Sequence, residues 1–418
     1  MTLVPRRIEP LVDEALGGFR VVVVNGPRQA GKSTLLGLVA GSSDAAVLTM
    51  DDRPTLRLAR TDPAGFVEGY PHPLFVDEIQ RAGDPLVLAI KAWVDRHPNE
   101  RGQFLLTGSS RFLTVPSLSE SLAGRVRILD LWPFSQGEIE GTPDGLVDLL
   151  FESPDQIRHL DVPRLSRHQA MERVVLGGFP PVHDLNSHRL RTSWFADYRR
   201  TLVQRDLSEL RRIRQGVDLP RLFRLVASLT AQELNVASLA RALDLSSDTV
   251  RDYLALLETI YVHHTLPAWS GGMVSRAKRR PKLHMVDSGL CAATLGLDAQ
   301  RLAVPTEGLA GPVLETFVVG ELRKQQSWSQ VDFELLHFRD RKQREVDVVL
   351  EATDGRIVAV EIKAAVDVDD HDVRHLGYLR EILADRFVHG IVLHLGHRPM
   401  PLGDRLTALP LSSLWAAG

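Results

Sequence analysis

The sequence predicts an α/β protein: a parallel-sheet domain, a helical connector, a winged helix and a second, C-terminal α/β domain. Three observations predict it. Short apolar, β-branched runs alternate with helical patterns over residues 1–140. Apolar residues at helical spacing, with no strand-like run, fill residues 141–215. Beyond residue 300 a helix precedes three strand candidates, two of them joined through Asp354 and Gly355, a dipeptide that favours a tight hairpin.

In the first domain, Val21, Val22, Val23 and Val24 form a continuous apolar run, which marks a strand buried on both faces. Residues 74–76 and 104–106 are two more such runs, and helical patterns cover 34–40 and 85–96. That alternation is the layout of a parallel sheet with crossover helices, ending near Trp132 and Pro133. The connector is broken at Gly177, Gly178 and Pro180. Residues 216–290 predict the winged helix. A short helix over 238–243 and a turn at Asp244 lead to a longer helix with Val250, Leu254, Leu257 and Tyr261 on one face. Strand-like pieces at 261–266 and 282–286 would make the wing. Residues 300–418 predict a helix (313–326), strands at 333–339, 345–351 and 357–363, a helix (373–383) and a strand at 390–395.

A net charge of -3 excludes a protein that is basic throughout, so any nucleic-acid surface must be a local patch. The single cysteine, Cys291, excludes an intrachain disulfide and a cysteine-based zinc site. No apolar run approaches the roughly 20 residues that span a bilayer, and the first ten residues lack the apolar core of a signal peptide. A cytoplasmic protein without a membrane partner is expected.

Gly26, Pro27, Arg28, Gln29, Ala30, Gly31, Lys32 and Ser33 match G-x-x-x-x-G-K-[ST], with Thr34 opening the helix that follows. The glycines let backbone N–H groups converge on phosphate oxygens, and the helix N-terminus adds a favourable dipole. Lys32 would bridge the β- and γ-phosphates of ATP, and the Ser33 hydroxyl would ligate Mg²⁺. Asp77 and Glu78 end the second apolar run. Asp77 would hold the Mg²⁺ shell and Glu78 would polarise the attacking water. The third run ends in Thr107, Gly108, Ser109 and Ser110; Thr107 or Ser109 would sense the γ-phosphate. Arg125 is a candidate arginine finger, and Arg28 a further candidate phosphate contact.

With these words in place, the chain resembles the AAA-type ATPases of bacteria and archaea that carry a C-terminal domain of unknown function. The matching words are GPRQAGKST, LFVDEIQ, LLTGSS, SLAGR, GGFP, RRTLVQRDL, RPKLHMVDSGL, ETFVVGEL, REVDVVLE and VAVEIK. The resemblance implies an ATPase core, a helical and winged-helix middle and a nuclease-like tail. AAA-type relatives often form rings, which makes a homo-oligomer a further candidate state.

In the tail, period two places Glu361 and Lys363 on one strand face, the hairpin brings Asp347 alongside, and Glu315 lies on the preceding helix. This set resembles the active site of restriction-endonuclease-like and Holliday-junction-resolvase-like nucleases. There, carboxylates hold Mg²⁺ and the lysine stabilises developing charge. The alternative is a degenerate nuclease fold whose charges form a structural ion-pair cluster. Arg276, Lys278, Arg279, Arg280 and Lys282 crowd the expected wing, and Arg339, Arg341, Lys342 and Arg344 precede the Asp347 strand. Both clusters are candidate DNA-backbone contacts. His263 and His264 have no ligand-spaced partner beside them.

Two functions follow. One is an ATPase acting on DNA through a metal-dependent nuclease-like tail. The other is a nucleotide-gated switch whose inactive tail docks DNA or protein. A signalling ATPase with a protein partner and no DNA is a third.

Overall fold

The computed structural model describes residues 3–109, 124–206, 219–271, 276 and 279–417. They form two compact units, residues 1–134 with 259–261, and residues 135–258 with 262–418.

The first unit is built on a five-stranded, all-parallel sheet in the order β2-β3-β4-β1-β5. Its elements are α1 (Glu9–Gly18), β1 (Val21–Asn25), α2 (Lys32–Gly41), β2 (Ala46–Thr49), α3 (Arg53–Thr61), α4 (Pro63–Gly69), β3 (Leu74–Asp77), α5 (Asp84–Arg96), β4 (Phe104–Gly108) and β5 (Val126–Asp130). The four valines of β1 divide by parity, as a pleated strand requires. Val21 and Val23 join Leu74, Val76, Phe104 and Leu106 against α4 and α5. Val22 and Val24 join Phe75 and Leu105 against α1 and α2. Burial on both faces is why these strands read as unbroken apolar runs. The outer strands β2 and β5 are missing from the sequence reading: both are partly exposed edges, β2 only four residues long and β5 mixing Arg127 and Asp130 with apolar residues.

In the second unit, α6 (Gln136–Glu140), α7 (Leu146–Glu152), α8 (Arg167–Leu176) and α9 (His188–Thr201) supply the expected helical segment. They lead to α10 (Leu219–Ser228), β6 (Gln232–Glu233), α11 (Val236–Leu243), α12 (Ser247–Thr259), β7 (His263–Leu266) and β8 (Lys282–Met285). The three strands form one sheet in the order β6-β8-β7. Beyond it come α13 (Ser288–Leu295), α14 (Ala310–Gln326), β9 (Phe333–Arg339), β10 (Glu345–Ala352), β11 (Ile357–Ile362), α15 (Asp370–Leu383), β12 (Phe387–His394), β13 (Met400–Gly403) and β14 (Leu406–Pro410). These last six strands make a mixed sheet in the order β13-β14-β12-β11-β10-β9. The Asp354 and Gly355 turn is the expected hairpin: β10 and β11 pair antiparallel, Glu351 opposite Ile357, and Gly355 takes φ +88°. One face packs under α15 through Leu336, Val349, Leu376 and Leu379.

Residues 135–258 and 262–418, which span the expected connector, most of the expected winged helix and the tail, pack as one compact unit. Long-range polar contacts hold it. The Asp287 carboxylate accepts from the N–H of Gly178 at 2.7 Å and of Leu290 at 2.8 Å. Gly177 is required there, because a Cβ would stand 2.4 Å from Asp287 Oδ1. Beyond β7, His337 N–H donates to Pro267 O and Trp269 N–H to His337 O, so the chain leaving β7 runs onto the outer edge of β9.

Candidate functional site

The loop after β1 is shaped by backbone demands. A Cβ on Gly26 would lie 2.1 Å from Leu131 O, and Gly31 takes φ +98° at the start of α2. The Lys32 ammonium is buried inside the loop, donating to Gly26 O at 3.0 Å and Pro27 O at 2.8 Å. Gln29 and Thr34 are exposed, Arg28 is half-buried, and Pro27 and Ala30 are buried. Buried Arg6 clamps the loop from α1's side, donating to Ala30 O and Trp132 O, each at 2.7 Å. Arg6 carries no motif signature, and sequence reasoning missed it.

The sheet order puts β4 between β1 and β3, so three strand ends converge beside the loop. Ser33 Oγ donates to Asp77 Oδ2 at 2.9 Å. The hydroxyl and the carboxylate expected to share a cation are therefore neighbours. Thr107 Oγ donates to Asp77 Oδ1 and accepts from the Glu78 N–H at 3.2 Å. Ser109 Oγ donates to Glu78 Oε2 at 3.0 Å, and Gln80 Nε2 donates to both Glu78 Oε2 and Ser109 Oγ. The two hydroxyls between which the sequence could not choose divide the labour: Thr107 holds Asp77, Ser109 holds Glu78. Gln80 was not anticipated. Glu78 itself sits in the left-handed region, φ 56° and ψ 44°, at a cost of about 1–2 kcal/mol. The residues present suit Mg²⁺ and a polyphosphate: a loop too tight for side chains, a buried ammonium, and a hydroxyl–carboxylate pair.

Arg125 is placed elsewhere. It precedes β5, and its carbonyl accepts from Val21 N–H at the start of β1. The P-loop is at the other end of that strand, about 16 Å along it at roughly 3.3 Å per residue. The Arg125 guanidinium pairs with Asp95 at 2.5 Å. A finger acting on its own chain's nucleotide is corrected to a partly exposed ion pair on α5. Ser110 lies outside the described residues.

The second constellation lies in the other unit. The β10–β11 register pairs Val348 with Val360, so the next positions outward, Asp347 and Glu361, are opposite one another. Asp347 Oδ2 accepts from Ile362 N–H at 2.9 Å. Lys363 Nζ stands 3.0 Å from Glu361 Oε1 and 3.3 Å from Asp372 on α15. Glu315 enters from α14. The structure therefore brings Glu315, Asp347, Glu361 and Lys363 together, but with an addition. Lys282, expected as a DNA contact, is 1% exposed and inserts its ammonium among the carboxylates. It stands 2.8 Å from Glu345, 2.9 Å from Glu315 and 3.2 Å from Asp347.

The electrostatics follow from that ammonium. Burial alone would discharge Lys282, but Asp347, Glu315 and Glu345 hold its pKa above the ordinary lysine value. Burial, with Asp347 nearby, pushes the Glu315 carboxyl well up. The same two causes, burial then Asp347, raise Glu361 to about 8 against the opposing pull of Lys363. His337 is pushed down to about 4 by burial and by Lys282.

The rest of the expected wing patch is also largely engaged. Arg276 pairs with Glu334 at 3.3 Å and with Glu351, and donates to Ser270 O at 3.0 Å. Arg279 and Arg280 are exposed, Arg279 donating to Arg339 O. Lys278 lies outside the described residues. On α12, the exposed positions include Asp248, Arg251, Asp252 and Ala255, and Asp248 pairs with Arg251. That outward face is acidic on balance.

Comparison with known proteins identifies the first domain's type. Residues 18–140 match the family model of an AAA domain. An AAA-type P-loop ATPase domain is followed by two domains of unknown function. The second of the three matches, DUF8612, covers residues 167–301, and the third, DUF4143, covers residues 310–414. An uncharacterized protein of Mycobacterium tuberculosis, Rv2008c, is 28% identical over 411 residues, covering 97% of this chain and 83% of the relative. Among solved structures, the Walker-type ATPase PABY2304 of Pyrococcus abyssi aligns over 70% of this chain and 96% of its own, with 15% identity and TM-score 0.45. The RuvB Holliday junction branch migration motor of Thermotoga maritima aligns over 62% and 89%, with 19% identity and TM-score 0.30. Among the described residues, no helix is long and apolar enough to cross a membrane.

Proposed function

We propose that the protein is an ATP-hydrolysing switch whose C-terminal unit is a docking module built on a winged helix and a catalytically silent, nuclease-like fold. The observation that carries the ATPase reading is the linked set Ser33–Asp77 and Ser109–Glu78 at the mouth of the P-loop. Mg²⁺ bound with ATP would neutralise phosphate charge as it develops. The P-loop amides and Lys32 bind the β- and γ-phosphates. Ser33 and Asp77 position the cation. Ser109 and Gln80 aim the Glu78 carboxylate, which orients a water and takes its proton as the oxygen adds to the γ-phosphorus. The bond to the bridging oxygen breaks, giving ADP and phosphate.

The silent-tail reading rests on Lys282. Its single ammonium touches three of the carboxylates that a divalent ion would need. That ammonium already supplies part of the positive charge a metal would bring. DNA contact through the wing draws little support, since Lys282 is buried and Arg276 is paired. A protein partner is the occupant this surface favours. The order of elements from α10 to β8 and the β10–β11 carboxylates with α14 support the winged-helix and restriction-endonuclease-like assignments.

The test is Glu78→Gln. ATP should still bind, while turnover falls by about 10²–10⁴-fold, the usual contribution of a positioned base. Lys32→Ala should instead abolish productive binding. Wild-type turnover by the Glu78→Gln chain would remove Glu78 as the base, and a wild-type chain without turnover would remove the ATPase assignment.

A further inference from the structure

Helices α9 and α10 contribute to a cavity of about 320 Å³ in the second unit. Its lining includes Arg199, Arg200, Gln204, Phe223 and Arg224. Arg200 has a partner, Asp197, at 2.9 Å. Arg199 and Arg224 differ: among the described residues neither guanidinium has a hydrogen-bond or ion-pair partner. Both influences on Arg199 act against its charge, burial first and the neighbouring Arg224 cation second.

Two like charges lining one cavity repel each other, and half-buried Arg199 also loses hydration, while Arg224 is exposed at the cavity. Nothing among the described residues offsets that cost. An anion would. Guanidinium presents a planar fork of donors suited to paired oxygens, and two such forks match a doubly charged phosphate better than a single carboxylate. The volume falls at the lower end of small-ligand sites, about 300–1,000 Å³, and Phe223 gives one apolar wall.

We propose that this cavity is a phosphoryl-binding site separate from the P-loop, in which Arg199 and Arg224 together hold one phosphate group. The phosphate comes either from a small phosphorylated molecule or from a nucleic-acid backbone.

The experiment uses the full chain carrying Lys32→Ala, so that the P-loop is silent. Inorganic pyrophosphate and a short single-stranded oligonucleotide are each titrated by calorimetry, before and after adding Arg224→Gln. Pyrophosphate binding that weakens about tenfold or more with Arg224→Gln supports the site and a small-molecule source. The same loss seen only with the oligonucleotide supports the site and a backbone source. Arg199→Lys, which keeps charge but loses the fork, should weaken binding less than Arg199→Gln. Without ligand, Arg224→Gln should leave the melting temperature unchanged or raise it, because it relieves repulsion. Titrations that Arg224→Gln leaves unchanged would overturn the proposal. So would a melting temperature lowered by several degrees, which would make Arg224 a structural cation.

Discussion

Both units gather carboxylates at the ends of neighbouring strands, and they neutralise them in opposite ways. Asp77 and Glu78 are held by neutral donors: the hydroxyls of Ser33, Thr107 and Ser109 and the carboxamide of Gln80. The nearby ammonium, Lys32, bonds loop carbonyls instead. The neutral donors fix the carboxylates in place without bringing a formal charge of their own. Glu315, Glu345 and Asp347 are held by an ammonium, Lys282. On the proposed reading, the same residue type makes a cation site in one unit and an ion-pair hub in the other. What separates them is the charge of the hydrogen-bond donor.

Lys282→Met is the largest lever on that comparison. Removing one partner of a buried ion pair costs about 3–5 kcal/mol, because the remaining charges stay buried. Chemical denaturation of the variant should show a loss of that size, and millimolar Mn²⁺ should restore part of it by replacing the missing charge. Wild type should not respond. A wild-type chain stabilised by Mn²⁺, or cutting DNA with it, would dissolve the distinction and return the tail to an active nuclease. Lys32→Met should show a smaller loss than Lys282→Met, since Lys32 donates to the loop carbonyls Gly26 O and Pro27 O, neutral acceptors.

The ATPase site was legible because most of it is local. Eight consecutive residues write the loop, and Asp77 and Glu78 end a run whose burial on both faces is plain from Leu74, Phe75 and Val76. The contributions that escaped are non-local. Arg6 reaches Trp132 across 126 positions, and Lys282 reaches Asp347 across 65. In sequence Lys282 belongs to a basic run, which is usually a solvated surface; Arg279 and Arg280 are indeed exposed, while Lys282 opens β8 and is buried. Arg125 was misplaced for a related reason. The strand it precedes is a half-exposed edge, Val126–Asp130, whose alternating polarity gave no apolar run. Without that strand, the end of the sheet occupied by Arg125 could not be read.

The next effect is on pH dependence. The Glu361 carboxyl is raised from 4.5 to about 8 in the folded chain. Between those values the native state keeps a proton that the unfolded state has released. The stabilisation is full below the unfolded pKa and is lost as pH rises through the folded one. Wild-type stability should therefore fall between about pH 5 and 8 more steeply than that of Glu361→Gln. Parallel curves for the two would mean that Glu361 is ionised in the folded protein.

Ser109→Ala acts on the neutral-donor side. It removes one of two side-chain donors to Glu78 Oε2 and leaves Gln80 in place. A hydrogen bond to a charged group contributes about 1.5–3 kcal/mol. With Gln80 retained, a fall in kcat of about tenfold is expected, with little change in ATP affinity. A change confined to KM would place Ser109 against substrate instead of behind Glu78.

The smallest expected effect bears on the exposed remainder of the wing, and it decides between partners. Only Arg279 and Arg280 of the described wing cations are exposed, and the outward face of α12 carries Asp248 and Asp252. Removing a cation that meets a phosphate lowers the salt slope of DNA binding by about one unit, so the double substitution Arg279→Ala with Arg280→Ala could lower it by at most about two. A docking unit for protein predicts no measurable change in either affinity or slope, and a stability change within about 0.5 kcal/mol, as for ordinary surface positions. A slope that drops by nearly two units would mean that the wing does meet a phosphate backbone. The acidic face of α12 would then lie away from the duplex, and the partner of the second unit would be DNA held by its backbone alone, because two arginines at one loop supply position without reading bases.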